Sequence, residues 1–301
     1  MPSEQWLYRT AAIAMRSLRL QDKALENSTK PPLISNDVKE TRDFVFSPIM
    51  PNDRVGDSGA LLLAKKKNDR MDRYLVKHAF CDCAVNEFVY TKLALAMGLK
   101  MPEAVLFKIS DGEKRKYFGT EYILGTRYLN LVIESPTYAE IREQAINWQD
   151  YFRFNALYDM FIECDSFETP LASDGNIYRV DTSASFPTSE LLLSQAGLNV
   201  EIDGQNVKEA IKQRMLSHPF KNCWDYFSLD EAVEKYTTRY GIECANLYME
   251  PFSLVQDIPD DYVDGFLNTL CYFYPDFIGA YFKQFIGALQ KKARELLNAK
   301  R

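Results

Sequence analysis

A chain of 301 residues, 47% hydrophobic and 26% charged, has a globular composition and room for one large domain or two lobes about a cleft. Its longest apolar runs, such as Ala60–Ala64, fall far short of the roughly 20 residues of a membrane-spanning helix, so no membrane span is expected. A net charge of −6 argues against a broad basic face for duplex nucleic acid while leaving room for a local basic pocket for phosphates, and two histidines, His78 and His218, leave little material for a zinc or Ser-His-Asp site.

Residues Trp6 to Leu25 read as a basic amphipathic helix that packs on the body of the protein, with Leu7, Ala11, Ala14, Leu18 and Leu25 near one face. The polar stretch from Asn27 to Pro32 ends in a proline pair and reads as a linker. Short strands follow: Phe44–Phe46, then Ala60–Leu63, a charged hairpin tip over Lys65–Arg70, and Tyr74–Lys77. Asn86 to Met97 reads as a helix stopped by Gly98. Two more strands, Ala104–Phe107 and Tyr117–Ile123, complete the β-rich part. Beyond Leu129 the pattern turns helical: one long aromatic helix over Tyr138–Glu163, a β-like pair about the Asp174-Gly175 turn, then helices at Val207–Leu216, Leu229–Tyr240, Asp261–Leu270 and Asp276–Asn298. The expectation is an α+β, two-lobed architecture: an N-terminal helix and linker at 1–43, a small β-rich N-lobe at 44–124, and a larger helical C-lobe at 125–301. The six cysteines show no CxxC spacing and read as reduced thiols, which places the chain in the cytoplasm, a secreted effector being the alternative.

Four features carry chemistry, each with a plainer reading beside it. Val55 to Gly59 holds two glycines between strands, suited to phosphate contact or to an ordinary turn. Lys77 closes an apolar strand, where it can reach nucleotide phosphates or simply decorate the strand end. Glu87, on the next helix, can hold that lysine or lie solvated on the helix surface. Asp165 and Asp181 follow a helix and a strand, respectively; phosphoryl transfer needs one carboxylate near the acceptor hydroxyl and one on a metal, while either Asp alone is an ordinary cap or turn residue.

This order of features carries a resemblance. Tyr74-Leu-Val-Lys77, then Asn86-Glu-Phe-Val through Gly98-Leu99, Pro102-Glu-Ala-Val105, Ala156 to Asp165, and Tyr178-Arg-Val-Asp181 together resemble the HipA-like kinases, over about residues 53 to 190. The resemblance implies a protein-kinase-like fold, ATP and Mg2+ as cofactors, and a protein partner or a protein Ser/Thr substrate. By it, Lys77 holds the α- and β-phosphates and Glu87 pairs with it. Gly56, Ser58 and Gly59 form the phosphate loop, and Glu121 and Ile123 lie at the hinge beside adenine. Asp165 is the catalytic base and Asp181 the magnesium ligand. The chain departs from the family's D-[RG]-H-x-x-N loop: it has Asp165-Ser-Phe-Glu-Thr-Pro170, so proline replaces the metal-binding Asn. Asn176 or Asp174 would be the substitute, although both lie beyond the next strand. The alternative function is a pseudokinase, a nucleotide-binding or protein-interaction module.

Overall fold

The computed structural model describes residues 38–48, 61–77, 84–109, 112, 122–164, 166–182, 185–187, 212–213, 215–271 and 276–299. The helix expected over Trp6–Leu25, the linker after it, the loop at Val55–Gly59, Glu121 and Asp165 lie outside these residues.

Six strands form one sheet: β1 (Val38–Glu40), β2 (Phe44–Pro48), β3 (Leu61–Lys66), β4 (Asp69–Lys77), β5 (Ala104–Lys108) and β6 (Tyr122–Arg127). Their order across the sheet is β1-β5-β6-β4-β3-β2. Only the β1–β5 pair is parallel among these neighbours; the rest are antiparallel. The alternation that favours strands is visible in the cross-strand pairs Leu62↔Val76 and Ala64↔Tyr74, which turn to one face. With Phe44, Val105, Phe107, Ile109 and Ile123 they close a core within the curl of the sheet. The charged tip expected at 65–70 is shorter than its composition suggests. Both strands run into it, because exposed lysines on the outer face do not interrupt the hydrogen-bonded ladder. β1 precedes the expected boundary at 44, and β6 runs past 124 to Arg127. Arg127 ties the sheet's end together, donating to Asp72 at 2.8 Å and Glu103 at 2.6 Å while lying over the Tyr74 ring.

Helix α1 (Ala84–Ala96) joins β4 to β5 and covers the other face of the sheet. Val85, Phe88, Val89, Leu93 and Ala94 share a core with Ala104, Leu106 and Leu124. Gly98 ends the helix with φ +77°, and the Leu99 N–H returns to the Ala94 carbonyl at 3.0 Å. Only glycine takes that backbone conformation at little cost.

The chain leaves the sheet after Arg127. β7 (Leu131–Ile133) pairs with β8 (Leu171–Ala172), a two-stranded ribbon apart from the main sheet. The single helix expected over Tyr138–Glu163 is two helices, α2 (Tyr138–Gln144) and α3 (Asp150–Met160). The break at 145–149 docks a hairpin. The Ile146 N–H donates to the Gly175 carbonyl, and the Asn147 side chain pairs with both the N–H and the C=O of Ile177, at 2.8 and 3.0 Å. Asn147 also donates to Asp150, at 2.8 Å, where α3 begins. Helices α4 (Leu229–Tyr240), α5 (Ile242–Leu254), α6 (Asp260–Cys271) and α7 (Asp276–Asn298) complete the described fold. α5 has no counterpart among the expected helices: Gly241 before it and Pro251 within it read as breakers, yet Pro251 is buried in the helix. No described helix is long and apolar enough to cross a membrane. The architecture is α+β, a curled sheet with one covering helix followed by a helical part.

Candidate functional site

Lys77 is the last residue of β4, paired in register with Leu61 of β3. It lies two positions beyond Leu75, which pairs with Thr126. The helix after it carries Glu87 in its first turn. Glu87 is 6% exposed, and its neighbour Asn86 is buried as well. A solvated glutamate on the helix surface is therefore ruled out. A buried carboxylate needs a compensating partner.

Asp181 is delivered by a hairpin. After α3, the chain runs through residues 161–164 to Ser166 and Phe167, and an antiparallel bridge joins Glu168 to Val180. A second bridge joins Leu171 to Ile177, and Gly175 turns the hairpin with φ +78°. Asp181 follows Val180, half-buried, with φ +54°. Among the described residues, the non-glycine residues with left-handed backbone are Ile162, Asp181 and Phe186. All three flank this one hairpin. Such backbone costs about 1–3 kcal/mol per residue and persists where surrounding contacts impose it. Here the Phe186 N–H bonds the Phe161 carbonyl at 2.5 Å. The two rings also pack at 5.3 Å, and Phe161 meets Tyr90 of α1 edge-on at 4.8 Å.

Sequence reasoning passed over Arg179, since nothing in Ile177-Tyr-Arg-Val180 announces a buried guanidinium. The side chains of Arg179 and Glu163 are both fully buried and form an ion pair through Nη2 of the arginine. Nη1 donates to the carbonyls of Glu168 at 2.9 Å and Val180 at 2.7 Å, and Nη2 also donates to that of Ser166 at 3.3 Å. The guanidinium lies over the Phe167 ring at 4.9 Å. Tyr90 adjoins the pair: burial, then the Glu163 charge, hold its hydroxyl well above the usual tyrosine range, with Arg179 opposing.

One expectation changes. Ile123 does not stand at a hinge. It opens β6, is 3% exposed and belongs to the core inside the sheet, while the strand continues to Arg127 before the chain departs. Asn176 and Asp174 lie beyond the Leu171–Ala172 strand, as expected from the sequence. They form the hairpin tip, where Asp174 accepts from the Asn176 N–H at 3.0 Å and the Tyr178 hydroxyl at 2.7 Å. The tip lies at the far end of the hairpin from the Glu168–Val180 bridge that Asp181 follows. Burial raises the Asp174 carboxyl, but the Tyr178 hydroxyl and the Asn176 amides outweigh it and hold the pKa below the usual range. Pro170 itself is buried, and its carbonyl accepts from the Tyr178 N–H at 3.2 Å, so its place in the hairpin is structural.

No group of three or more His, Cys, Asp or Glu side chains gathers as a metal cage among the described residues. A nucleotide-bound Mg2+ does not require one, since it draws on phosphate oxygens and water with one or two carboxylates. The half-buried Asp181, next to the bridged Val180, fits that smaller demand. Glu168, exposed, is bridged in register to Val180, the residue before Asp181; its Oε1 accepts from the Ser166 hydroxyl at 3.0 Å.

No family model matches the sequence, and no curated protein matches it. In structure the chain is similar to the Helicobacter pylori proinflammatory kinase CtkA, over 86% of this chain and 99% of that one, with 13% identity and a TM-score of 0.37. A likeness that distant carries no weight in assigning the site.

Proposed function

We propose that this protein is a HipA-like kinase that uses ATP and Mg2+ to phosphorylate Ser or Thr of a protein. The observation that carries the reading is the burial of Glu87 on the helix that directly follows the strand closed by Lys77. A strand lysine held by a helix glutamate is how kinases grip the α- and β-phosphates. In this reading Lys77 binds those phosphates, Glu87 orients Lys77, and the backbone around Gly56, Ser58 and Gly59 covers the nucleotide. Asp165 orients the acceptor hydroxyl, and Asp181 anchors the metal. Mg2+, when bound, neutralises charge on the transferred phosphoryl group. The setting proposed is cytoplasmic.

The buried Pro170 favours a second reading, a pseudokinase that binds nucleotide or a protein partner without transfer. Titration of the full chain with Mg·ATP, followed by labelled-phosphate transfer to a Ser/Thr-containing protein, separates the two. Binding lost in Lys77→Ala, together with transfer lost in Asp181→Ala, supports the kinase. Binding without transfer supports the second reading, and no binding by the wild type refutes the kinase and the nucleotide-binding form of the second reading.

A further inference from the structure

The Arg179 guanidinium is the hub of the hairpin. It reaches acceptors on both sides of position 165, at Glu163, Ser166 and Glu168, and a fourth at Val180, the residue before Asp181. The two segments expected to supply the two carboxylates are thus held at a set separation by one planar fork. We infer that Arg179 is a positioning residue that fixes Asp181 for a nucleotide-bound divalent cation, with Glu163 supplying its counter-charge. The inference rests on the nucleotide reading above.

The chemistry suits arginine and no other side chain. Its donors sit on separate nitrogens in a rigid plane, so one group serves carbonyls some distance apart, whereas a lysine ammonium directs its three donors from one nitrogen. These part-buried carbonyls have limited access to water, so donors from the protein satisfy them. The backbone beside the fork bears the imposed conformation: Asp181 follows Val180 with a left-handed φ of +54°, and Ile162 has the same value just before Glu163. Aromatic packing seals the assembly on either side, Phe167 against the guanidinium and Phe161 against Tyr90 of α1. The helix that carries Glu87 therefore packs directly on the segment that Arg179 organises.

A role confined to stability would weaken all ligand binding together or none. A positioning role removes only the part of the affinity that the metal contributes. The test measures the Kd of ATP by calorimetry, in Mg2+ and again in EDTA, for the full-length wild type, Arg179→Lys, Asp181→Ala and the Arg179→Lys/Asp181→Ala double variant, with Tm recorded for each. Arg179→Lys keeps a cation opposite Glu163 and loses the fork. The expected result is a folded variant whose Kd in Mg2+ rises about 10-fold, the usual scale for loss of a group that orients a metal ligand, while its Kd in EDTA is unchanged. The double variant should then lose no more than Asp181→Ala alone, because the two changes remove one interaction. If Arg179→Lys does not fold, the Glu163→Leu/Arg179→Met pair, which replaces the ion pair with apolar side chains, takes its place in the same measurement. Wild-type affinity for Mg·ATP in a folded variant overturns the inference alone, as does equal weakening in Mg2+ and EDTA or failure of both variants to fold. A wild type that binds no nucleotide overturns the functional reading, and this inference with it.

Discussion

Gly125 offers a sharp test of how the sheet that carries Lys77 is packed. It lies in β6, opposite Val105 of β5 and Val76 of β4. A Cβ placed there would stand 2.5 Å from Phe107 Cε2, 3.1 Å from Phe107 Cδ2 and 3.3 Å from Tyr74 Cβ. Carbon atoms in contact prefer about 3.5–4.0 Å, so the first overlap is roughly 1 Å. The Phe107 ring has nowhere to go. It is fully buried and meets Phe44 at 4.9 Å, Tyr74 at 5.5 Å and Phe46 at 5.8 Å, each edge-on. Overpacking of this kind costs about 1–3 kcal/mol. Removing the backbone freedom of a strand glycine returns about 0.5–1 kcal/mol, since Gly125 does not occupy the left-handed region and alanine adopts its backbone. Gly125→Ala should therefore destabilise the protein by a net ~1–2 kcal/mol, by overpacking offset against backbone freedom. Urea unfolding followed by circular dichroism gives the value. Phe107→Leu withdraws the offending ring edge, so the Gly125→Ala/Phe107→Leu double variant should be more stable than the sum of the single changes predicts, by at least about 0.5 kcal/mol. A Gly125→Ala protein as stable as the wild type, or strict additivity in the cycle, would refute the packing argument.

Three further changes probe other parts of the fold. Asp159 accepts from the Tyr248 hydroxyl at 2.5 Å, yet burial, the largest influence, raises its carboxyl above the ordinary value of 3.8. The folded state then keeps this proton to higher pH than the unfolded chain does, so ionisation costs stability as pH rises from near 3.8 through the raised folded value. Stability of Asp159→Asn relative to wild type should increase between pH 4 and pH 7, and a difference independent of pH in urea unfolding would count against the assignment. Thr137 and Glu140 form a reciprocal capping box at the start of α2. Thr137→Ala should cost about 0.5–2 kcal/mol, while an unchanged urea midpoint would show that the cap is idle. Asn147→Ala removes the partner of both main-chain groups of Ile177 and should cost about 1–3 kcal/mol. Hydrogen exchange should locate the loss at residues 170–180, and uniform loss across the chain would contradict that account.

Local pattern determined much of this protein. The strands about Phe44–Phe46, Leu61–Leu63, Tyr74–Lys77 and Ala104–Phe107, the helix after Lys77, its stop at Gly98, the hairpin about Asp174-Gly175 and the limits of α4 and α7 all follow from residues near one another in the chain. Periodicity and turn chemistry act over a few residues, which is why they are legible there. Tertiary contacts decided the rest. The break between α2 and α3 exists because Asn147 serves Ile177, 30 positions away, and α5 accommodates Pro251 because the buried surface around it outweighs a breaker's preference. The same holds for the candidate site. The residue types at Lys77, Glu87 and Asp181 suggested a phosphate and metal chemistry, but burial alone separates a paired Glu87 from a solvated one. The role of Arg179 is likewise invisible in sequence, because its partners Glu163, Ser166 and Glu168 approach it only when the hairpin closes. Desolvation and fixed geometry are properties of the packed molecule, and they decide what a charged side chain does.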